Sequence, residues 1–359
     1  MLDYFDYLKP TIGSFALYTY EHRIPKIVAD VIANNQISAE IETRLVELKN
    51  ALTIRVSSQL PTSGNPYWHP FLEEYDGEEL QSVPFLLGEI YWYKLLYEVV
   101  SQEVSDPFQQ IKESDLKGNM DFVSDCLSRD WSLNDLIYLC VEGNSADLSQ
   151  MNGSAHGKSL SYILDHSNLL VDELNRVSKV EVLCDNAGIE LFTDLMLVAN
   201  LLDSGLVEKV VLHLKAQPIF VSDATRKDFN FLMKQLTNTM LGRSFENWIE
   251  QGKVELQTST FWHAPTFFRE VPSEVLQPNP ETILISKGDA NYRRFFEDRA
   301  FPPSSTFDVP LAYRAVYAFR TLKSELQTGL DPERTAELNT AFGKSWMTDG
   351  THAVIQKLS

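Results

Sequence analysis

The chain has 359 residues, enough for about two domains. Its 44% apolar and 23% charged residues are those of a folded globular protein and exclude a wholly disordered chain. With 50 acidic residues against 31 Lys and Arg, the net charge is −19. Such a surface repels phosphate backbones and anionic bilayers, so neither a nucleic-acid binder nor a membrane-surface binder is expected.

The N-terminus, Met1-Leu2-Asp3-Tyr4-Phe5-Asp6, carries acids and no basic segment, so no secretory signal is expected. No run approaches ~18 uncharged apolar residues, so no transmembrane helix is expected either. Ser38 is a candidate N-cap, and Ile41, Leu45, Leu48 and Leu52 follow it on one face of a helix. Residues 59–77 hold three prolines and two glycines and read as a long loop. Pro84 then opens an apolar helical run, 85–100, with Glu89 inside it. Cys126, Cys140 and Cys184 are odd in number and contain no C-x-x-C pair. They make no disulfide framework or cysteine zinc site and point to a reducing, cytoplasmic setting.

The character changes near residue 143, where a polar, glycine-bearing stretch, 143–157, marks the expected boundary between an N-terminal helical portion, 1–142, and an α/β portion, 143–359. Within that stretch Gly153-Ser154-Ala155-His156-Gly157-Lys158-Ser159 resembles a P-loop but has three residues between its glycines where four are needed. Beyond it, strands at 180–184, 210–214, 254–257, 283–286 and 315–319 are expected. Helices are expected at 190–204, with Gly205 as its stop, and at 225–236. The alternation predicts a Rossmann-like, mostly parallel sheet with helices on both faces. Its site should lie beyond the carboxyl ends of the strands.

Four strand tips carry candidate chemistry. Asp185 and Asn186 follow the first predicted strand and offer hard oxygen ligands suited to Mg²⁺ or Mn²⁺, although Asp, Asn and Gly are also ordinary turn residues. Asp223 stands at the start of the 225–236 helix, as a second acid for the site or as that helix's N-cap. Lys287-Gly288-Asp289-Ala290-Asn291-Tyr292-Arg293-Arg294 combines a close-approach glycine with cations at a helix start, which favours an anion there, or else is a surface loop. Arg320 and Lys323 follow the last predicted strand, as phosphate ligands or a solvated helix start. Brought to one rim, two acids, an amide and several cations are the parts of metal-assisted phosphoryl transfer. The seven histidines are scattered without metal-ligand spacing.

These segments together resemble the metal-dependent damage-control phosphatases, a family long labelled a domain of unknown function. Arg320-Thr321-Leu322-Lys323 matches the R-T-x-K motif of subfamily III, which includes proteins described as acidic residue methyltransferases. Gly143 to Ser149, Arg23-Ile24-Pro25 and Phe85 to Lys94 resemble that subfamily as well, so the likeness spans nearly the whole chain. The resemblance implies that Asp185, Asn186 and Asp223 bind a divalent metal, Mg²⁺ or Mn²⁺, with Co²⁺ or Ni²⁺ as alternatives. It implies that Glu190, Asp289, Asn291, Arg293, Arg320 and Lys323 contact substrate or phosphate. The implied activity is hydrolysis of small phosphate monoesters, including sugar phosphates such as fructose 1-phosphate and damaged or surplus phosphorylated metabolites. A metal-activated water is the expected nucleophile, with Lys287, Arg293 and Lys323 stabilising the transition state; Asp185 as a covalent nucleophile is the rival. Two other functions compete. An S-adenosylmethionine-dependent carboxyl methyltransferase would need a Gly-rich cofactor loop after a predicted strand, and none occurs. A non-catalytic sugar-phosphate-binding protein would keep the cations but need no metal ligands.

Overall fold

The computed structural model describes residues 5–143, 160–307 and 311–359. Apart from Gly143, the stretch 143–157 and its P-loop-like segment lie outside the described residues. The chain starts with α1 (Phe15–Tyr18), which runs through a π-helical turn, Thr19–Arg23, into α2 (Ile24–Asn34). α3 (Ala39–Glu47) begins where the Ser38 hydroxyl oxygen accepts from the Ile41 N–H, and it buries Ile41 and Leu45. It stops sooner than the apolar spacing predicts. Leu48 closes it by donating to the Leu45 carbonyl at 3.1 Å, and Leu52 falls in a separate 3₁₀ turn, Ala51–Thr53. The expected loop 59–77 contains α4 (His69–Tyr75). Pro70 stands in the first turn of α4, where proline starts a helix instead of breaking one, and Phe71 and Leu72 are buried. α5 (Phe85–Val100) follows Pro84 as predicted and is buried almost all round.

Ile24, Val28, Leu45, Trp68 and Ile90 of this part meet in one cluster that also takes in Ala264 and Phe267. α6 (Gln109–Gly118), α7 (Met120–Leu127) and α8 (Leu133–Glu142) instead turn Leu116, Val123 and Leu136 into the cluster that packs on the sheet.

The strands are β1 (Ser161–Asp165), β2 (Lys179–Leu183), β3 (Lys209–Lys215), β4 (Val254–Ser259), β5 (Thr282–Lys287), β6 (Ala315–Thr321) and β7 (His352–Lys357). They form a 7-stranded sheet in the order β1-β7-β6-β5-β2-β3-β4. Every neighbouring pair is parallel except β6 with β7. The mostly parallel sheet predicted from the strand–helix rhythm is present, and β1 and β7 are additional to the predicted strands. Around it lie α9 (Ser167–Leu174), α10 (Ile189–Asp203), α11 (Arg226–Leu236), α12 (Met240–Glu250), α13 (Asp289–Phe295) and α14 (Pro332–Phe342). Side chains alternate across the sheet. Ile283 and Ile285 of β5 join the cluster of α8 and α10, while Leu284 joins the opposite one with Tyr292 and Phe295 of α13. Both faces are therefore covered, as apolar parallel strands require. No helix among the described residues is long and apolar enough to cross a membrane.

β2 also carries a buried charge. Glu181 accepts from the Tyr313 hydroxyl at 2.9 Å, lies 3.1 Å from His213 Nε2 and pairs with Lys179. Burial alone would raise its carboxyl, but His213 and Lys179 outweigh burial and hold it at about 2, below the ordinary 4.5. A carboxyl lowered by folding contributes stability that is fully present above its unfolded value and is lost as the pH falls through its folded value. The difference in Tm between wild type and Glu181→Gln should therefore shrink between about pH 5 and about pH 2. Thermal melts across that range check it, and a difference of constant width would contradict it.

Candidate active site

The site forms where two loops beyond the sheet are stitched together. Leaving β2, the chain passes Cys184 to Asp185 and Asn186; leaving β3 after Lys215, it returns through Ser222 and Asp223. The Ala187 N–H donates to the Ser222 carbonyl and the Ala224 N–H to the Asp185 carbonyl, both at 2.7 Å, and Asn186 and Asp223 form an antiparallel bridge. Ser222 donates its hydroxyl to Asn186 Oδ1 at 2.5 Å, and Asn186 Nδ2 donates to Glu190 Oε2 at 2.7 Å. Asp185, Asn186 and Asp223 are thus brought together, as predicted. Asp223 is not the cap of α11: Thr225 is, through a capping box with Asp228.

Asp185 and Asp223 are both buried. Burial first, then the neighbouring Glu190 and Asp223, push the Asp185 carboxyl well above the usual carboxylate range, against the pull of Lys215 and Lys323. Burial also raises Asp223, to about 6, although Lys215 pulls it down. Asp223 Oδ2 makes no hydrogen bond of good geometry, and the Lys215 ammonium stands 3.3 Å from it. A buried carboxylate oxygen with acceptor capacity to spare, beside a second carboxylate and an amide oxygen, fits a hard divalent cation. Among the described residues no group of three or more His, Cys, Asp and Glu is arranged to hold a metal. The fit is therefore to two carboxylates plus Asn186, which suits an ion such as Mg²⁺ that keeps several waters.

The tip of β5 closes the site from the other side. Gly288 has φ 82° and ψ 172°, backbone open in practice only to glycine. A Cβ on it would stand 1.9 Å from Asp185 Oδ2. Asp289 opens α13, and its Oδ1 accepts from Arg320 Nε (2.8 Å), the Lys323 N–H (3.2 Å) and the Ser324 hydroxyl (3.1 Å). Burial would raise the Asp289 carboxyl, but Arg320 and Arg293 win and hold it low. Arg293 donates to both carboxylate oxygens of Asp298 at 2.8 Å and to Glu89 at 2.9 Å.

Asp185, Asn186, Asp223, Asp289, Arg293 and Lys323 line one open cleft of about 150 Å³. Four predicted site residues do not line it. Lys287 is 1% exposed and faces α8 and α10, donating to the Cys140 carbonyl and to Asp194 Oδ1 (2.6 Å) and pairing with Glu190 at 3.3 Å. Its predicted place beside a transferring phosphoryl group is thereby corrected. The two acids of α10 draw the ammonium into the interior. Asn291 donates to the Lys287 carbonyl at 2.9 Å, and Glu190 is taken up by Asn186 and Lys287. Arg320 lies within β6, fully buried on Asp289 and over the Tyr292 ring, and is neither a phosphate ligand nor a solvated helix start. These four position their neighbours.

Other residues were given no site role by the sequence, although Arg23, Glu89 and Tyr93 lie in two of the segments that resemble the subfamily. Arg23, Glu89 and Tyr93 reach the cleft from the helical part, together with Phe220, a bulky residue at φ 51° whose ring meets Tyr93 edge-on. Lys215 lies beneath Asp223, an ion pair of 3.3 Å. The available signals were single charges inside apolar runs: Glu89 in α5 and Lys215 closing β3.

A family model described as "Damage-control phosphatase ARMT1-like domain" matches residues 19–338. Proteins named "Damage-control phosphatase ARMT1" from Mus musculus and Homo sapiens are each 26% identical to this chain, with 96% of both chains covered. The protein of that name from Danio rerio is 27% identical, covering 96% of this chain and 94% of its own. Among solved structures, a DUF89 family protein from Pyrococcus horikoshii superposes with a TM-score of 0.54 at 15% identity, covering 98% of this chain and 100% of the other; this is a likeness of fold.

Proposed function

The chain belongs to the damage-control phosphatase ARMT1-like family, and from that premise we propose that it hydrolyses small phosphate monoesters with a divalent cation held by Asp185, Asn186 and Asp223. The observation that carries this reading is the stitched pair of loops, which sets two buried carboxylates and an amide oxygen at one end of a cleft whose rim bears Lys323. When bound, a divalent cation supplies an activated water and neutralises charge on phosphoryl oxygens. The chain's own residues do the rest. Lys323 holds phosphate oxygens at the rim, and its backbone is fixed by its N–H bond to Asp289. Asn186 is oriented by Ser222 and Glu190 on either side of its amide. Tyr93 and Phe220 wall the cleft with aromatic surface, which limits water around the reacting group. Polar and aromatic groups side by side suit a polyhydroxylated body such as a sugar phosphate, fructose 1-phosphate among them, or a damaged or surplus phosphorylated metabolite.

The test is phosphate release from a panel of phosphate monoesters before and after exhaustive chelation, and again after adding Mg²⁺, Mn²⁺, Co²⁺ or Ni²⁺ singly. Turnover should vanish with the chelator and return with at least one ion. Undiminished turnover in the chelated protein would falsify the reading.

A further inference from the structure

We propose that Lys215 is a positioning residue for the cation site. The inference rests on the reading of Asp185, Asn186 and Asp223 as its ligands. A lysine that closes a strand ordinarily reaches solvent, because taking an ammonium out of water is costly. Lys215 closes β3 and is 4% exposed. Its Nζ donates to the Cys184 carbonyl at 2.7 Å, one residue before Asp185, and lies 3.3 Å from Asp223 Oδ2. Its backbone N–H donates to the Ala224 carbonyl at 3.0 Å, one residue after Asp223. Side chain and main chain of one residue thus grip both ligand-bearing loops from below.

The arrangement does two things. It ties the β2 tip to the Asp223 loop from the side of the sheet, adding to the Ser222–Asn186 bond and the two backbone bonds between the loops, and it is a charged tie that reaches the Asp223 carboxylate itself. It also places one positive charge under Asp223, 3.3 Å from Oδ2. Two carboxylates held close without an offset charge repel and splay apart. Lys215 keeps them in place for a cation that approaches from the cleft side.

The experiment compares wild type with Lys215→Met and Lys215→Gln. Met keeps the stem and removes the charge; Gln also keeps an N–H donor for the Cys184 carbonyl, so it preserves the fold if Met does not. Titration calorimetry with Mn²⁺, thermal melts with and without Mn²⁺, and steady-state kinetics at saturating Mn²⁺ are read on each. Both variants should bind Mn²⁺ about 10-fold or more weakly, in line with the loss of an outer-shell partner. Their kcat should fall about 10- to 100-fold, while KM for the phosphate monoester stays close to wild type. A residue that only supported the fold would lower the melting temperature without this split. Wild-type Mn²⁺ affinity in a folded variant overturns the proposal. So does tighter binding, which would mean that the ammonium merely competes with the cation. If wild type itself binds no Mn²⁺, the ligand assignment fails first, and that outcome is distinct from a wild type that binds beside a variant that binds equally well.

Discussion

Asp185→Asn should lower turnover at least ~100-fold, because a lost oxygen ligand leaves the cation and the groups it orients misplaced. The same substitution should raise the melting temperature measured in chelator. Asp185 is buried with Glu190 and Asp223 beside it, and burial and these two acids together push its carboxyl well up. The amide removes that repulsion with almost no change of side-chain volume. A site built for function over stability behaves in this way when its charge is deleted. The cation-induced rise in Tm, which mass action gives to any ligand that binds the folded state alone, should disappear in the variant. Asp223 is the poorer choice for this test, since Lys215 at 3.3 Å would lose its counter-charge. Melts in chelator and in saturating Mn²⁺, beside turnover, decide it. A variant that melts below wild type in chelator and keeps the full cation shift would show Asp185 to be a turn residue with no ligand role.

Gly288→Ala should be nearly as damaging, although it adds a single methyl group. The new Cβ would lie 1.9 Å from Asp185 Oδ2 and 2.1 Å from Cγ, where real Cβ atoms do not sit. Either the Asp185 carboxylate or the start of α13, with Asp289, must move. The backbone at φ 82° adds strain of about 1–3 kcal/mol for any residue with a Cβ. Turnover should fall at least ~100-fold, since displacements of about 1 Å in a positioned group cost that much. Gly252→Ala is the control: it has φ 71° and nothing within 4 Å of its Cβ, so it carries backbone strain without touching the site. Equal turnover in the two variants would show that the close approach of Gly288 to Asp185 has no role.

What could be read in the chain before its structure, and what could not, divides along a physical line. Two strand tips were legible because apolar runs ending in Asp-Asn or Lys-Gly-Asp are local signals, and a parallel sheet brings such tips to one rim; Ser222-Asp223 follows no strand directly but lies in the loop after β3, which ends at Lys215. Which side chains face the cleft was not legible, because that depends on partners far along the chain. Lys287, Asn291 and Arg293 lie within one short segment. Yet Lys287 is drawn inward by Asp194, Asn291 is turned back on the strand, and Arg293 lines the cleft with Glu89. Arg320 looked like a free phosphate ligand until Asp289 took its guanidinium. The helical part's share of the site, Arg23 and Tyr93, falls in segments that resemble the subfamily, but their chemistry gives no site role by itself, since a cation on a helix and a tyrosine in an apolar run are ordinary. α4 was hidden by its proline, which marks a helix start as readily as a break.

The place of β7 has a consequence for how the molecule is made. β1 has β7 as its sheet neighbour, with Ser161 opposite His352, and β7 also closes onto β6. On a ribosome adding about 5–20 residues per second, β1 is finished roughly 10–40 s before its neighbour emerges. Throughout that wait its backbone donors and acceptors are open to any extended segment, and once β6 is made it too has one side bare. A polypeptide stalled anywhere between these strands would carry two sticky edges on an otherwise assembled sheet. Nascent chains of this protein should therefore lean on chaperones late in translation, and fragments lacking residues 352–357 should aggregate where the longer chain stays dispersed.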